Sequence, residues 1–554
     1  MVIKSRWSLP IPPVSLPTYT FGSPTADLPK TPAWISASEP EKYYLTVHDY
    51  RLWSQRLASG LRRSGLQPGD RVLLFSGNTL FFPSVVMGVM MAEGVFTGAN
   101  PTYVARELAY QLKDSGARYL ICAEGSLETG IAAAKEIGMP ADRIFIFDDG
   151  TATFEGRKVE KKTELGHVRH WTELVDSPAK GAEYLWPELK TDEELNRVVA
   201  LNYSSGTTGV AKGVMITHRN YVANCSQQVH ISQQHPEYEQ RLPNKRLLCF
   251  LPMYHAMAQA VFCFVAMKQH MRVYMMPKFD FVEMLTCLQK YRITDLVLVP
   301  PIIVAMAKHP ATKNFDLSSV QGAGSGAAPL GREVSEEFER LWPTGQVNVK
   351  QGWGMTEVTC AATTFAPDKR SDSFSVGELL ANMEAKIVLD EDGKIEAPQG
   401  ERGEIWVRGP NVMRGYWNKP AATKETLTAD GWLRTGDVAY VDKGNDFFIV
   451  DRKKELIKVK GLQVAPAELE AMLLEHPEVQ DAAVIGVPHH GDEAPRAYIV
   501  PHTPDKAVPE IAECIKTWLA ERVSRHKRLE GGVHFIDAIP KNPVSASRTC
   551  EDVC

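Results

Sequence analysis

The chain has 554 residues, with 62 Lys+Arg against 67 Asp+Glu and a formal net charge of −5. At roughly 150 residues per domain that is three to four domains' worth of chain. A composition 44% hydrophobic and 23% charged is that of a folded protein, which excludes disorder, collagen and a coiled coil. Mild acidity without a Lys/Arg block also argues against a nucleic-acid partner held through phosphate contacts.

Residues 1–40 are rich in Pro, Ser and Thr and read as a surface wrap, with a basic start but no apolar run of signal-peptide length. Thr46-x-x-Asp49 has the form of a capping box, and Tyr50, Trp53, Leu57 and Leu61 follow at helical spacing. Gly69-Asp70 closes a turn, and 72–75, 118–122, 143–147 and 294–300 read as buried strands with helical patterns between them. Such alternation predicts α/β layers with mostly parallel sheets. Two runs, 72–92 and 247–267, lack charge but do not read as membrane spans. The first holds Ser76, Gly77, Asn78, Thr79 and Pro83. The second holds Pro252, Tyr254, His255 and Gln259, polar groups that suit a lined cavity. Nine cysteines, odd in number and scattered without a CxxC, read as reduced core thiols of an intracellular protein. After about residue 380, the segments 383–407 and 438–451 carry short alternating strands with Gly turns, as in a β-rich subdomain. A compact α+β pattern follows, with helices expected from Pro466 and around Ile511, Ile515, Trp518 and Leu519, and strands at 482–487 and 497–500.

The strongest chemical signal is Tyr203-Ser-Ser-Gly-Thr-Thr-Gly-Val-Ala-Lys-Gly213, set between strand-like 198–203 and 214–217. Glycines let the backbone approach an anion, N–H groups and hydroxyls donate to phosphate oxygens, and the lysine adds a point charge. It is not a Walker A loop: Ala211 stands where that motif needs Gly, and Lys212 is followed by Gly213. Nucleotide phosphate is still the expected ligand.

This segment resembles the phosphate-binding signature of the adenylate-forming (AMP-binding) superfamily. The later motifs keep its order: Gln351-Gly-Trp-Gly-Met-Thr-Glu357, Asp430-Gly-Trp-Leu-Arg-Thr-Gly-Asp437 and Asp451-Arg-Lys-Lys-Glu-Leu-Ile-Lys-Val-Lys-Gly461. Over roughly 40–543 the chain is most similar to acyl-CoA synthetases of the 4-coumarate–CoA ligase type. The resemblance implies a large multi-layer α/β N-terminal domain over 1–451 and a small mobile α+β lid over 452–554, hinged near Lys454. It implies two steps: a carboxylate attacks the α-phosphate of ATP, and the thiol of coenzyme A then displaces AMP.

By the same resemblance, Ser204, Ser205, Gly206, Thr207, Thr208, Gly209 and Lys212 hold the nucleotide phosphates. Thr356 meets the α-phosphate, while Glu357 with Thr208 holds Mg²⁺, a hard cation that takes oxygen ligands. Ala327, Ala328 and Pro329 form one wall of the adenine slot; Gln351, Gly352, Trp353, Gly354 and Met355 form the other. Trp353 replaces the usual Tyr and should keep its stacking role. Asp437 matches the ribose aspartate with Arg452 beside it, Lys460 and Gly461 match the lid contact to CoA, and Gln463 reaches toward the AMP phosphate. Tyr254, His255, Met257, Ala323, Gly326 and Val358 line the acyl pocket. Met257 stands where an aromatic is common in coumarate-type enzymes, so an aryl acid and a medium-chain aliphatic acid both stay open.

The pattern breaks at its end. Family members close with Pro-Lys-x-Pro-Ser-Gly-Lys, whose last lysine bridges carboxylate and α-phosphate; here Pro543 is followed by Val544 and Ser545. Losing one preorganised donor costs about 10²–10³ in rate. Three readings follow: a chain end that differs from the functional protein's, an active ligase in which Arg548 or Lys541 substitutes, or a protein that binds acyl-AMP or performs only the thioester step. A stand-alone adenylating enzyme that loads a carrier protein is the same-superfamily rival. The expected partners are a small carboxylic acid, ATP and CoA, with no membrane span and no obligate protein partner. A cytoplasmic or peroxisomal location is expected, although the chain does not end in Ser-Lys-Leu.

Overall fold

The computed structural model describes residues 2–204, 211–459, 462–489 and 492–540, with only the backbone of Gln463 and Asp492. Two large sheets carry the N-terminal part. One is nine-stranded and parallel through its centre, where Val198–Ser204, Val95–Ala99, Arg71–Phe75, Ala117–Ala123, Ile144–Phe147 and Gly166–His170 lie side by side. The other is seven-stranded and runs Val349–Gln351, Gly322–Ser325, Asp295–Leu298, Arg246–Cys249, Arg272–Met275, Pro32–Ser36, Tyr44–Thr46. All its neighbours are parallel except the last pair. A five-stranded antiparallel sheet contains Glu384–Val388, Gly403–Arg408, Leu433–Val441 and Phe447–Arg452.

Local chemistry explains the elements that were legible. Thr46 Oγ1 accepts the N–H of Asp49 at 3.0 Å while Asp49 Oδ2 accepts the N–H of Thr46 at 3.1 Å, which starts the helix Val47–Arg63. The uncharged run 72–92 becomes the strand Arg71–Phe75 and the helix Phe82–Met91, whose residues are all buried. The run 247–267 becomes the strand Arg246–Cys249 and, after a loop, a helix with a π-helical stretch at Gln259–Val265, a geometry frequent at functional sites. No helix among the described residues is long and apolar enough to cross a membrane. Cys122, Cys225, Cys249, Cys263 and Cys287 are buried free thiols.

Two expectations need correction. Residues 1–40 do not simply wrap the surface: Leu16 and Trp34 are fully buried, Ile3–Lys4 pairs with Glu384–Val388, and Pro32–Ser36 adds to the seven-stranded sheet. Their short elements between prolines hide the periodicity a longer strand would show. The strand expected over 294–300 ends at Leu298, because Pro300 opens the helix Pro300–Lys308 at a position where its missing N–H costs nothing.

The C-terminal part is α+β. Val479–His489 and Asp492–Pro501 form a hairpin joined in parallel by Val533–Phe535, with Pro466–Leu473 and Pro509–Ala520 as its helices. Ile457, Val464, Leu469, Leu473, Ile515 and Leu519 belong to a hydrophobic cluster separate from that of the N-terminal part.

Candidate active site

A cleft of about 1080 Å³ runs between the N-terminal part and the C-terminal part. Ala327, Ala328, Pro329, Gln351, Gly352, Trp353, Gly354, Asp437, Arg452 and Lys454 all line it, together with Ala467, Glu470 and Ile485 from the C-terminal part. The geometry thus brings together residues that lie as far apart in the chain as Ala327 and Ile485.

The two walls are strand ends of the seven-stranded sheet. Gly322–Ser325 and Val349–Gln351 are parallel neighbours, so the loops that leave them emerge side by side. Gln351 staples these loops: its Nε2 donates to the carbonyl of Leu330 at 3.0 Å and its Oε1 accepts the Leu330 N–H at 3.1 Å. Both ends of the amide are therefore engaged by protein backbone, a role the sequence did not reveal. Ala327 sits at φ +72°, a left-handed conformation unfavourable for any residue with a Cβ. Gly354 is required sterically, since a Cβ there would fall 1.8 Å from the carbonyl oxygen of Cys360.

At the floor, Asp437 faces the second wall. Its Oδ2 accepts the indole N–H of Trp353 at 2.8 Å, and its Oδ1 lies 3.8 Å from Arg452 Nε. Asp437 and Arg452 are direct partners across two antiparallel strands, which explains why the sequence places them 15 residues apart and the fold places them together. Burial pushes the Asp437 carboxyl up to about 6, against the lowering influence of Arg452 and Trp353. Lys454 is exposed in the turn that follows the strand Phe447–Arg452.

A second cluster centres on Glu357, in the single 3₁₀ turn Thr356–Val358. Glu357 is only 4% exposed, and its Oε1 accepts hydrogen bonds from Ser204 Oγ and from Tyr416 Oη, both at 2.9 Å. The Lys212 ammonium lies 5.0 Å from the centre of the Tyr416 ring. Lys212 is the first residue of the strand Lys212–Thr217, which pairs with Val198–Ser204 on one side and with Gly415–Tyr416 on the other. Strand pairing, not loop flexibility, sets its position. Thr356 is buried beside this carboxylate, and Met355 precedes the turn. Tyr416 is a further site residue that sequence reasoning missed; its only signal was a Gly-Tyr pair with no motif around it.

The expected acyl-pocket residues are not on the wall of the large cleft. Met257 Sδ lies 3.2 Å from where a Cβ on Gly326 would stand, and Tyr254 is in similar contact with Gly98. Ala323 is 6% exposed and Val358 is fully buried. His255 Nδ1 is buried without a hydrogen-bond partner, and apolar packing pulls the imidazole down to about 4, so it is neutral at physiological pH. Ser205, Gly206, Thr207, Thr208, Gly209, Lys460, Gly461, Lys541, Arg548 and the side chain of Gln463 lie outside the described residues.

Comparison with known proteins identifies the family and the fold. The description "AMP-binding enzyme" fits residues 25–417, and "AMP-binding enzyme C-terminal domain" fits 468–545. The chain is 37% identical over 548 residues to phenylacetyl-CoA ligase epaB of Aspergillus niger, covering 98% of this chain and 97% of that one. It is 37% identical over 506 residues to 4-coumarate–CoA ligase 2 of Petroselinum crispum, covering 90% and 86%. The crystal structure of ATP-bound MatB from Rhodopseudomonas palustris superposes with a TM-score of 0.79 at 26% identity, over 96% of each chain. By sequence and by fold, the chain belongs to the AMP-binding enzyme family.

Proposed function

We propose that the chain is an AMP-forming acid–thiol ligase that converts a carboxylic acid to its CoA thioester through an acyl adenylate. The observation that carries this reading is the nucleotide-sized cleft whose walls are stapled by Gln351 and whose floor holds the buried carboxylate of Asp437. A buried carboxylate that keeps lone pairs free suits the two vicinal hydroxyls of a ribose, and Arg452 supports its ionised form. Lys212 and the phosphate-binding segment before it hold the triphosphate, and Thr356 contacts the α-phosphate.

Glu357 offers a hard, preoriented carboxylate and fits Mg²⁺, with Thr208 as the accompanying ligand. When bound, the ion neutralises phosphate charge. The chain's own residues hold the reactants in line and exclude water, the kind of positioning that dominates phosphate chemistry. No protein nucleophile is needed. Neutral His255, with Tyr254, Met257, Ala323, Gly326 and Val358, lines the acyl site. An aryl or medium-chain acid is the expected substrate, in keeping with relatives named for phenylacetate and 4-coumarate. Residues 1–451 act as the body and 452–554 as a lid that turns about Lys454 between the two steps, with Lys460, Gly461 and Gln463 reaching CoA and AMP. The independent hydrophobic cluster of the C-terminal part supports this division.

The test is pyrophosphate release with ATP, Mg²⁺ and a panel of aryl and aliphatic acids, followed by CoA thioester formation. It is run beside a chain in which the residues after Pro543 are replaced by Ser-Gly-Lys. Release and thioester from either chain support the ligase. Binding of an acyl-AMP mimic without pyrophosphate release from either chain refutes it in favour of the acyl-AMP-binding reading. Acyl transfer to a carrier protein but not to CoA refutes it in favour of the carrier-loading one.

A further inference from the structure

Trp353 differs from a simple stacking platform in one respect: its ring edge is bonded. The ring hangs from a fixed backbone, because the Trp353 N–H donates to Thr363 Oγ1 at 3.1 Å and its carbonyl accepts the N–H groups of Ala362 at 2.9 Å and Thr363 at 3.1 Å. The preceding Gly352 N–H donates to the carbonyl of Ser325 at 2.9 Å, and Gln351 is held at both ends. With its backbone so constrained and only 8% of its surface exposed, the indole delivers its N–H to Asp437 Oδ2 at 2.8 Å. Asp437 is anchored in turn through its own N–H to Thr435 Oγ1 at 3.1 Å.

Arg452 is a weaker orienter of this carboxylate. Its Nε is 3.8 Å from Oδ1, beyond direct hydrogen bonding, and its Nη1 is shared with Glu455 at 3.6 Å. A phenol ring in place of the indole would have no donor at this ring position. Resting on the reading of the cleft as a nucleotide site, we infer that Trp353 is a positioning residue for the ribose: its indole N–H fixes the plane of the Asp437 carboxylate, so that the remaining lone pairs present themselves to the two ribose hydroxyls.

The test is equilibrium binding of ATP, 2′-deoxy-ATP and 3′-deoxy-ATP to the full chain. It compares wild type, Trp353→Phe, and a chain carrying β-(3-benzothienyl)alanine at 353, which keeps the bicyclic shape and lacks the N–H. Charge-assisted hydrogen bonds of this kind are worth about tenfold or more. The wild type is expected to prefer ATP over each deoxynucleotide by about tenfold. Both variants are expected to lose about tenfold in ATP affinity while their preference falls to about threefold or less. Equal loss for all three nucleotides would overturn the inference, since it would mean ring packing alone. A benzothienyl chain that behaves as wild type would overturn it too, as would a wild type without ribose preference. A wild type that binds and discriminates as expected, while neither it nor the chain ending in Ser-Gly-Lys forms a thioester, would sink the ligase reading and leave this inference standing.

Discussion

Tyr416→Phe isolates one hydrogen bond at the proposed metal site. The hydroxyl donates to Glu357 Oε1 at 2.9 Å, and burial and the neighbouring carboxylate both raise the phenol's pKa, so it stays a donor. Phenylalanine keeps the ring and therefore the contact with Lys212 at 5.0 Å. A hydrogen bond to a charged group contributes about 1.5–3 kcal/mol. Ser204 Oγ still donates to the same oxygen at 2.9 Å, so the lower end applies: about 1.5 kcal/mol, or roughly tenfold. Partners that orient a ligating carboxylate commonly change metal affinity by this much. The Mg²⁺ concentration that gives half-maximal pyrophosphate release should rise about tenfold, with the KM for the acid unchanged. A half-saturating Mg²⁺ within about twofold of wild type would refute the assignment of Glu357 as the metal carboxylate oriented by Tyr416.

In its proposed ribose role Asp437 must be ionised to accept two hydroxyls, and burial has raised it to about 6, with Arg452, Trp353, Glu455 and Glu357 as the polar and charged groups around it. The KM for ATP should therefore rise as pH falls through about 6, and a flat profile from about pH 5 to 7 would exclude the role. Ala327→Gly should relieve the left-handed strain at φ +72°, offset in part by the greater freedom of glycine in the unfolded chain, for a net gain of about 0.5–1 kcal/mol. A lowered denaturant midpoint would contradict this. Lys308→Met removes the ammonium that donates to the carbonyl of Leu474, at the end of the helix Pro466–Leu473, at 2.6 Å. Single-turnover rates of pyrophosphate release and of thioester formation should then change by unequal factors, about fivefold apart. Equal changes would show that this contact does not bias the proposed lid.

What the sequence reveals follows from where each constraint lies. The motif residues are legible because anion binding demands glycines, hydroxyls and a cation close together in the chain, and the order of four such motifs carries family identity. The groups that orient them are not legible, because each comes from a remote segment. Tyr416 is 59 residues from Glu357, Asp437 is 84 from Trp353, and Lys308 is 166 from Leu474. Gln351 shows the opposite failure: it stands in a nucleotide-binding motif, yet both its amide atoms serve the Leu330 backbone. Motif membership located it without disclosing its task. In the first 40 residues, buried Leu16 and Trp34 sit in segments too short for periodicity to register.

The segment 351–358 links the two clusters of the site. Its first part makes the cleft wall, and its last part carries Thr356 and Glu357. Between them Gly354 lies so close to Cys360 that no Cβ fits. Just beyond, Thr359 takes φ +71°, a strained conformation for a β-branched residue, and its hydroxyl is held by the carbonyl of Asn411 at 2.7 Å. Asn411 Nδ2 also donates to the carbonyls of Val358 at 3.0 Å and Ala361 at 3.1 Å. The turn is therefore clamped from outside by a segment more than fifty residues away. A loop with its own freedom would let the cleft wall and the Glu357 carboxylate drift relative to each other. Here the spacing between the Trp353–Asp437 pair and the Glu357 carboxylate is set by a turn held by the Gly354–Cys360 approach and by Asn411. The in-line positioning proposed for the α-phosphate requires such rigidity, since small displacements of reacting groups cost orders of magnitude in rate.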